Sequence, residues 1–127
     1  MLSDLLWAAF GINRPESGSR TAPSPMNSRE IEIYVASSNG VSLYDANFHQ
    51  LVKLSTEDIR NICGTQSYVG KTPINLSYVA NFSLLGDREE DRKLFYAAAD
   101  TGFISQSVMM DNAILKTDSF NNPHQWR

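Results

Sequence analysis

The sequence is poor in cysteine and histidine. Cys63 is its one thiol, and His49 and His124 are its two imidazoles, in 127 residues. No disulfide can therefore close within the chain. A metal centre is disfavoured on similar grounds, because no pair of His, Cys or carboxylate residues stands at ligand spacing on one predicted element. Positive charge is also scarce: 11 Lys and Arg against 14 Asp and Glu leave a net charge of −3. With no basic block, nucleic acid and anionic membranes are not expected partners. The sequence has no apolar run of about 18 residues, the length a membrane-crossing helix needs. The apolar start Leu2–Phe10 lacks the positive flank and small-residue cleavage pattern of a signal peptide. It reads as mature protein, and the expected compartment is the cytoplasm.

What is present is the make-up of an ordinary folded domain, 42% hydrophobic and 20% charged. A chain this long can bury roughly two thirds of the surface its unfolded form exposes, enough for a core without cross-links. Ser3 ahead of Leu5-Leu6-Trp7-Ala8-Ala9-Phe10 predicts a capped helix that Gly11 ends. Residues 13–25 contain three prolines and three serines and show no period. They predict a long loop, and loops of that length are more often functional than idle.

Ile31, Ile33 and Val35 alternate with Glu32 and Tyr34, the period of a half-buried strand. Ser38-Asn39-Gly40 then predicts a hairpin turn into Val41 and Leu43. Gln50–Leu54 predicts a third strand. Ser55 and Asp58, at capping-box spacing, predict a helix running to Cys63. Ile74, Leu76, Tyr78 and Ala80 share one face of a further strand that begins at Pro73. Lys93–Met110 predicts the longest helix, with Leu94, Ala98, Gly102, Ser105 and Met109 at helical spacing. Its middle is so small, at Ala97-Ala98-Ala99 and Gly102, that another helix or a planar ligand is expected to approach there. A mid-helix Gly costs about 1 kcal/mol relative to Ala and so calls for a reason. Asp111–Arg127 shows little period and is expected to be an irregular tail. That divides the chain into a domain of residues 1–110 and a tail of residues 111–127.

Gly64-Thr65-Gln66-Ser67-Tyr68-Val69-Gly70-Lys71-Thr72 comes near to a phosphate-binding loop but fails it. One residue too many separates the glycines, and the order of elements is helix, loop, strand instead of strand, loop, helix. Cys63 has no recognisable base motif beside it and reads as a buried structural thiol. The acidic run Glu89-Glu90-Asp91 reads as a solvated helix start. The segment Arg20-Thr21-Ala22-Pro23-Ser24-Pro25-Met26-Asn27 is different in kind. Pro23 and Pro25 limit φ and so hold Ser24 and Asn27 with little entropy left to lose. An Asn amide offers donor and acceptor together, which suits the edge of a heterocycle. A capped turn at Asn27 or Ser28 is the alternative.

Leu5–Pro15 together with Arg20–Asn27 resembles the nitroreductase family, in particular its group related to thiazoline and oxazoline dehydrogenases. Further collinear segments carry the resemblance: Glu30–Ala36, Gly40–Asp45, Pro73–Ala80 and Ala97–Gln106. The resemblance implies an α+β fold, a mostly antiparallel sheet flanked by helices, in a homodimer with FMN at the subunit interface. It implies hydride transfer from NAD(P)H through FMN to a small-molecule electron acceptor such as a nitroaromatic, quinone or azoline ring. The flavin carries that chemistry, so no catalytic side chain is assigned. Pro23, Ser24, Pro25, Met26 and Asn27 match the family loop that contacts the flavin ring, and the small helix around Gly102 matches the helix at the dimer interface. Pro25 stands where a small residue is usual, Arg29 where Gln is usual, and Ser107 where Asn is usual. The segments expected to bind the FMN phosphate are not matched, so the chain is expected to be a nitroreductase shortened at both ends. A dimerising nitroreductase-like protein that binds no flavin is the alternative expectation.

Overall fold

The alternation at residues 31–35 is realised as a strand with its apolar side chains on one face. The computed structural model describes residues 2–120. Helix α1 (Leu2–Phe10) is followed by a small ribbon of β1 (Ile12–Arg14) and β2 (Ser19–Arg20). The main sheet holds β3 (Ile31–Ser37), β4 (Gly40–Asp45), β5 (Gln50–Ser55) and β6 (Ile74–Ala80) in the order β5-β4-β3-β6. All its pairings are antiparallel. Helix α2 (Glu90–Phe120) closes the described chain. The expected fold class is the observed one.

Strand β3 lies inside the sheet, between β4 and β6, and its apolar side chains are covered. Ile31, Ile33, Val35 and Ala36 are buried, while Glu32 and Tyr34 are half-buried. Its turn into β4 pairs Ser37 with Gly40. Gly40 has φ +120°, and a Cβ there would stand 2.0 Å from the Ser55 carbonyl oxygen, so the close approach of β5 requires glycine. On β6, Ile74, Leu76, Tyr78 and Ala80 pack against the core and Val79 is exposed, as the alternation predicts. From α1, Leu6, Ala9 and Phe10 are buried at helical spacing. Ala97 and Ile104 of α2 join them in the same core.

Four expectations are corrected. The stretch from Ser55 to Cys63 is not an α-helix: Ser55 still pairs with Val41, and a single 3₁₀ turn, Arg60–Ile62, follows. The capping residues close local turns instead, Ser55 Oγ accepting from the Glu57 N–H and Asp58 Oδ1 from the Arg60 N–H. The long loop contains the β1–β2 ribbon, with its turn at Gly18. Residues 111–120 are not irregular, because α2 continues to Phe120; residues 121–127 lie outside the described residues. Finally, α2 turns Ala97, Asp100 and Ile104 inward, whereas Leu94, Ala98, Gly102 and Met109 of the predicted stripe are exposed. Nothing lies within 4 Å of where a Gly102 Cβ would stand.

Candidate functional site

The turn that leads into β3 is built from residues in an unusual backbone state. Met26, Asn27 and Arg29 have φ of 51°, 56° and 55°. Such conformations cost on the order of 1–3 kcal/mol each for non-glycine residues and persist where the surroundings enforce them. Enforcement is visible here. The Asn27 N–H donates to the Ser24 carbonyl at 3.1 Å, and Ser24 Oγ accepts from the Arg29 N–H at 3.1 Å. The turn at Pro25–Asn27 is therefore locked from both ends. Pro23 is exposed and Ser24 half-buried with its hydroxyl spent on the loop. Met26 is 87% exposed, its sulfur accepting from Arg88 Nη2 at 2.8 Å.

Beside this turn lies a cleft of about 590 Å³, in the range of small-molecule sites. Leu43 of β4 and Val52 of β5 supply its accessible apolar surface, the core residues Phe10, Ile31 and Ile33 lie behind it, and Arg20 and Asn27 border it. Of the residues marked in the sequence, Asn27 borders this cleft, and Pro23, Ser24 and Met26 do not. Its Nδ2 donates to the Ser17 carbonyl at 3.5 Å, a long bond, so most of its capacity is free for a ligand.

Sequence reasoning missed Arg20 and Arg29, both of which line the cleft. The Arg20 guanidinium lies 4.2 Å from the centre of the Phe10 ring. Its Nε is buried and has no hydrogen-bond partner among the described residues. Burial, and then the charge of Arg29, hold Arg20 below its ordinary basicity, while Tyr44 and Asp45 act in the other direction. No local pattern marks two arginines separated in this way as neighbours.

Two further groupings were not legible either. Glu30 and Asp100 are both buried, and no donor among the described residues reaches Glu30 Oε1 or Asp100 Oδ2. Burial, with Glu30 as hydrogen-bond partner and neighbouring charge, pushes the Asp100 carboxyl up to about 8. Ser28 Oγ donates to Glu30 Oε2 at 2.9 Å, which ties the pair to the site turn. Separately, His49 links Ser3 and Tyr44, with its Nε2 2.7 Å from Ser3 Oγ and its Nδ1 2.9 Å from Tyr44 Oη. Cys63 is half-buried, not buried, and its thiol donates to the Ile59 carbonyl at 3.4 Å. Among the described residues no cluster of three or more His, Cys, Asp or Glu could hold a metal ion, and no helix is long and apolar enough to cross a membrane.

The comparisons with known proteins agree with this architecture. A candidate nitroreductase of Ralstonia eutropha superposes with a TM-score of 0.78 at 37% identity, covering 84% of this chain and 51% of its own. A candidate nitroreductase of Anabaena variabilis gives 0.76 at 26% identity, covering 89% of this chain and 26% of its own. A chain of the E. coli microcin synthetase McbBCD complex gives 0.72 at 22% identity, over 89% of this chain and 48% of its own, a likeness of fold alone. The chain thus spans about half the length, or less, of the structures it matches. No curated protein matches it. The nitroreductase family model covers residues 1–120, nearly the whole sequence and all of its described elements. By that match and by its fold, the chain belongs to the nitroreductase family.

Proposed function

We propose that this chain forms one side of an FMN site in an oxidoreductase of nitroreductase type. The assembled protein would pass hydride from NAD(P)H through the flavin to a small acceptor such as a nitroaromatic or a quinone. The observation that carries this reading is the locked left-handed turn that sets the Asn27 amide at the edge of the cleft. Leu43 and Val52 offer apolar surface for a planar ring, and the Asn27 amide offers a donor and an acceptor for its polar edge. These residues fit a flavin. FMN, when bound, supplies the redox chemistry; this chain's share is to hold and orient it. Ser24 acts through the backbone, since its hydroxyl fixes the Arg29 N–H and so the turn beneath Asn27.

The same reading assigns a second copy to the outer side of α2. Leu94, Phe95, Phe103, Met109 and Met110 are 49–69% exposed there. Exposed apolar surface concentrated on one helix marks an interaction site.

The test is the visible spectrum of the purified chain, before and after incubation with FMN and gel filtration. A retained flavin band is expected. Asn27→Leu, which removes hydrogen bonds while keeping the bulk, is expected to weaken FMN binding by about tenfold. A protein that stays colourless at millimolar FMN would leave the second reading, a dimerising protein without flavin. The uncovered side of α2 fits both readings, because it needs a partner whatever the cleft holds.

A further inference from the structure

Arg20 and Arg29 are two cations in one cleft, and among the described residues no ion pair joins either of them to the Glu32 and Asp45 carboxylates that also line it. Both carboxylates accept from neutral donors, and the charge of Asp45 partly supports that of Arg20. Asp45 accepts from the Asn47 N–H with Oδ1, at 2.9 Å, and from Gln50 Nε2 with Oδ2, at 3.3 Å. Glu32, which also lines the cleft, accepts from Tyr34 Oη at 3.2 Å. Among the described residues neither arginine forms an ion pair, and the Arg29 side chain makes no hydrogen bond.

The placement of both is nonetheless constrained. Phe10 covers one face of Arg20, and the Arg20 carbonyl accepts from Arg14 Nη2 at 3.0 Å. Arg29 lies over Gly18, where a Cβ would stand 3.0 Å from its Nη2, so the guanidinium packs closely on the ribbon turn. Its backbone is held left-handed by Ser24. Bringing two like charges together and burying the Nε of one without an acceptor opposes folding. An oxyanion reverses both costs: it neutralises the pair and accepts the orphaned N–H, in the forked geometry that guanidinium groups favour.

We propose that Arg20 and Arg29 form an anion subsite of this cleft, gripping a carboxylate or phosphate group on the molecule that enters it. The inference rests on the cleft being a ligand site, as the proposed function has it, and adds that the ligand is anionic at this end. The oxyanion has two sources, a carboxylate on the electron acceptor or the phosphate of a bound nucleotide.

Matched probes separate them. Binding to the full chain is measured for 4-nitrobenzoate against neutral 4-nitrobenzamide, and for FMN against riboflavin. In at least one pair the anionic member is expected to bind about tenfold tighter or more, the scale of a hydrogen bond to a charged group. The first pair showing it assigns the carboxylate, the second the phosphate. Arg29→Gln and Arg20→Met are each expected to abolish the preference, and Arg20→Lys to restore part of it. Circular dichroism shows whether each variant is folded; should Arg20→Met be unfolded, Arg29→Gln decides. Equal affinities within both pairs, no binding of any probe, or a preference that survives in folded Arg29→Gln would overturn the subsite. Failure of FMN and riboflavin alone, with 4-nitrobenzoate still preferred, would instead count against the flavin reading and leave the subsite standing.

Discussion

At the scale of single residues, the decisive groups are those whose partners lie far away in the chain. Asp100 is the clearest case. Facing the buried Glu30 across the core, it keeps its proton to about 8, whereas an unfolded Asp loses it near 3.9. Between those values the folded protein binds the extra proton, so stability is highest at the acid end of the window and falls as pH rises from about 4 to about 8. Above that it no longer depends on this group. Asp100→Asn keeps a hydrogen-bond donor toward Glu30 without an ionisable proton. Urea denaturation at pH 5 and pH 8 is expected to show wild type losing stability over that interval and the variant losing less. Because Ser28 joins Glu30 to the site turn, the same titration acts next to Asn27. Nothing in the spacing around Asp100 announces this. A carboxyl among Ala97, Ala98 and Ala99 reads as a solvent-facing residue, and its burial follows from a neutral state that only Glu30 and the closed core impose.

At the scale of elements, short-range chemistry accounts for most of what forms. The alternation in β3 and β6 was legible because period two and burial on one side go together. The hairpin was legible because Gly40 must occupy a backbone region closed to other residues. Gly40→Ala is expected to cost more than about 1 kcal/mol, since the new methyl group would both adopt φ +120° and push into the Ser55 carbonyl. The midpoint of chemical denaturation measures it, and an unchanged midpoint would mean that β5 gives way freely. Ser55-Thr56-Glu57-Asp58 is compatible with two local structures. Its hydroxyl and carboxylate serve a helix cap or a pair of tight turns equally well, and pairing of Ser55 with Val41 decides for the turns. In α2 the spacing was right and the phase was not. A helix with apolar residues on every side has no preferred face until its neighbours are in place.

At the scale of the whole molecule, the chain has more apolar surface than it covers. The outer side of α2 is exposed from Leu94 to Met110, and the edge strand β5 shows Leu51, Val52 and Leu54 at 40–55% exposure. A self-associating protein is the expected consequence. Sedimentation of the full chain is expected to give a dimer, and the double substitution Phe95→Glu with Phe103→Glu a monomer of unchanged helix content. Wild type that sediments as a monomer at all soluble concentrations would remove the second copy from the proposed site. The cleft belongs to this scale as well. It gathers Phe10 from α1, Arg20 from β2, Asn27 from the turn and Leu43 from β4, so no single segment of sequence describes it.

Helix α1, the hairpin at Gly40, strands β3, β5 and β6 and the presence of a long last helix follow from local patterns, because backbone preference and side-chain period act over a few residues. The proline-bracketed loop also singled out Asn27. The inward face of α2 and the buried Glu30–Asp100 pair depend on contacts between residues far apart in the chain, and the turn at Pro25–Asn27 sets Arg20 and Arg29 in one cleft. Burial and charge proximity come into being when the chain closes on itself, and no stretch of residues carries them beforehand.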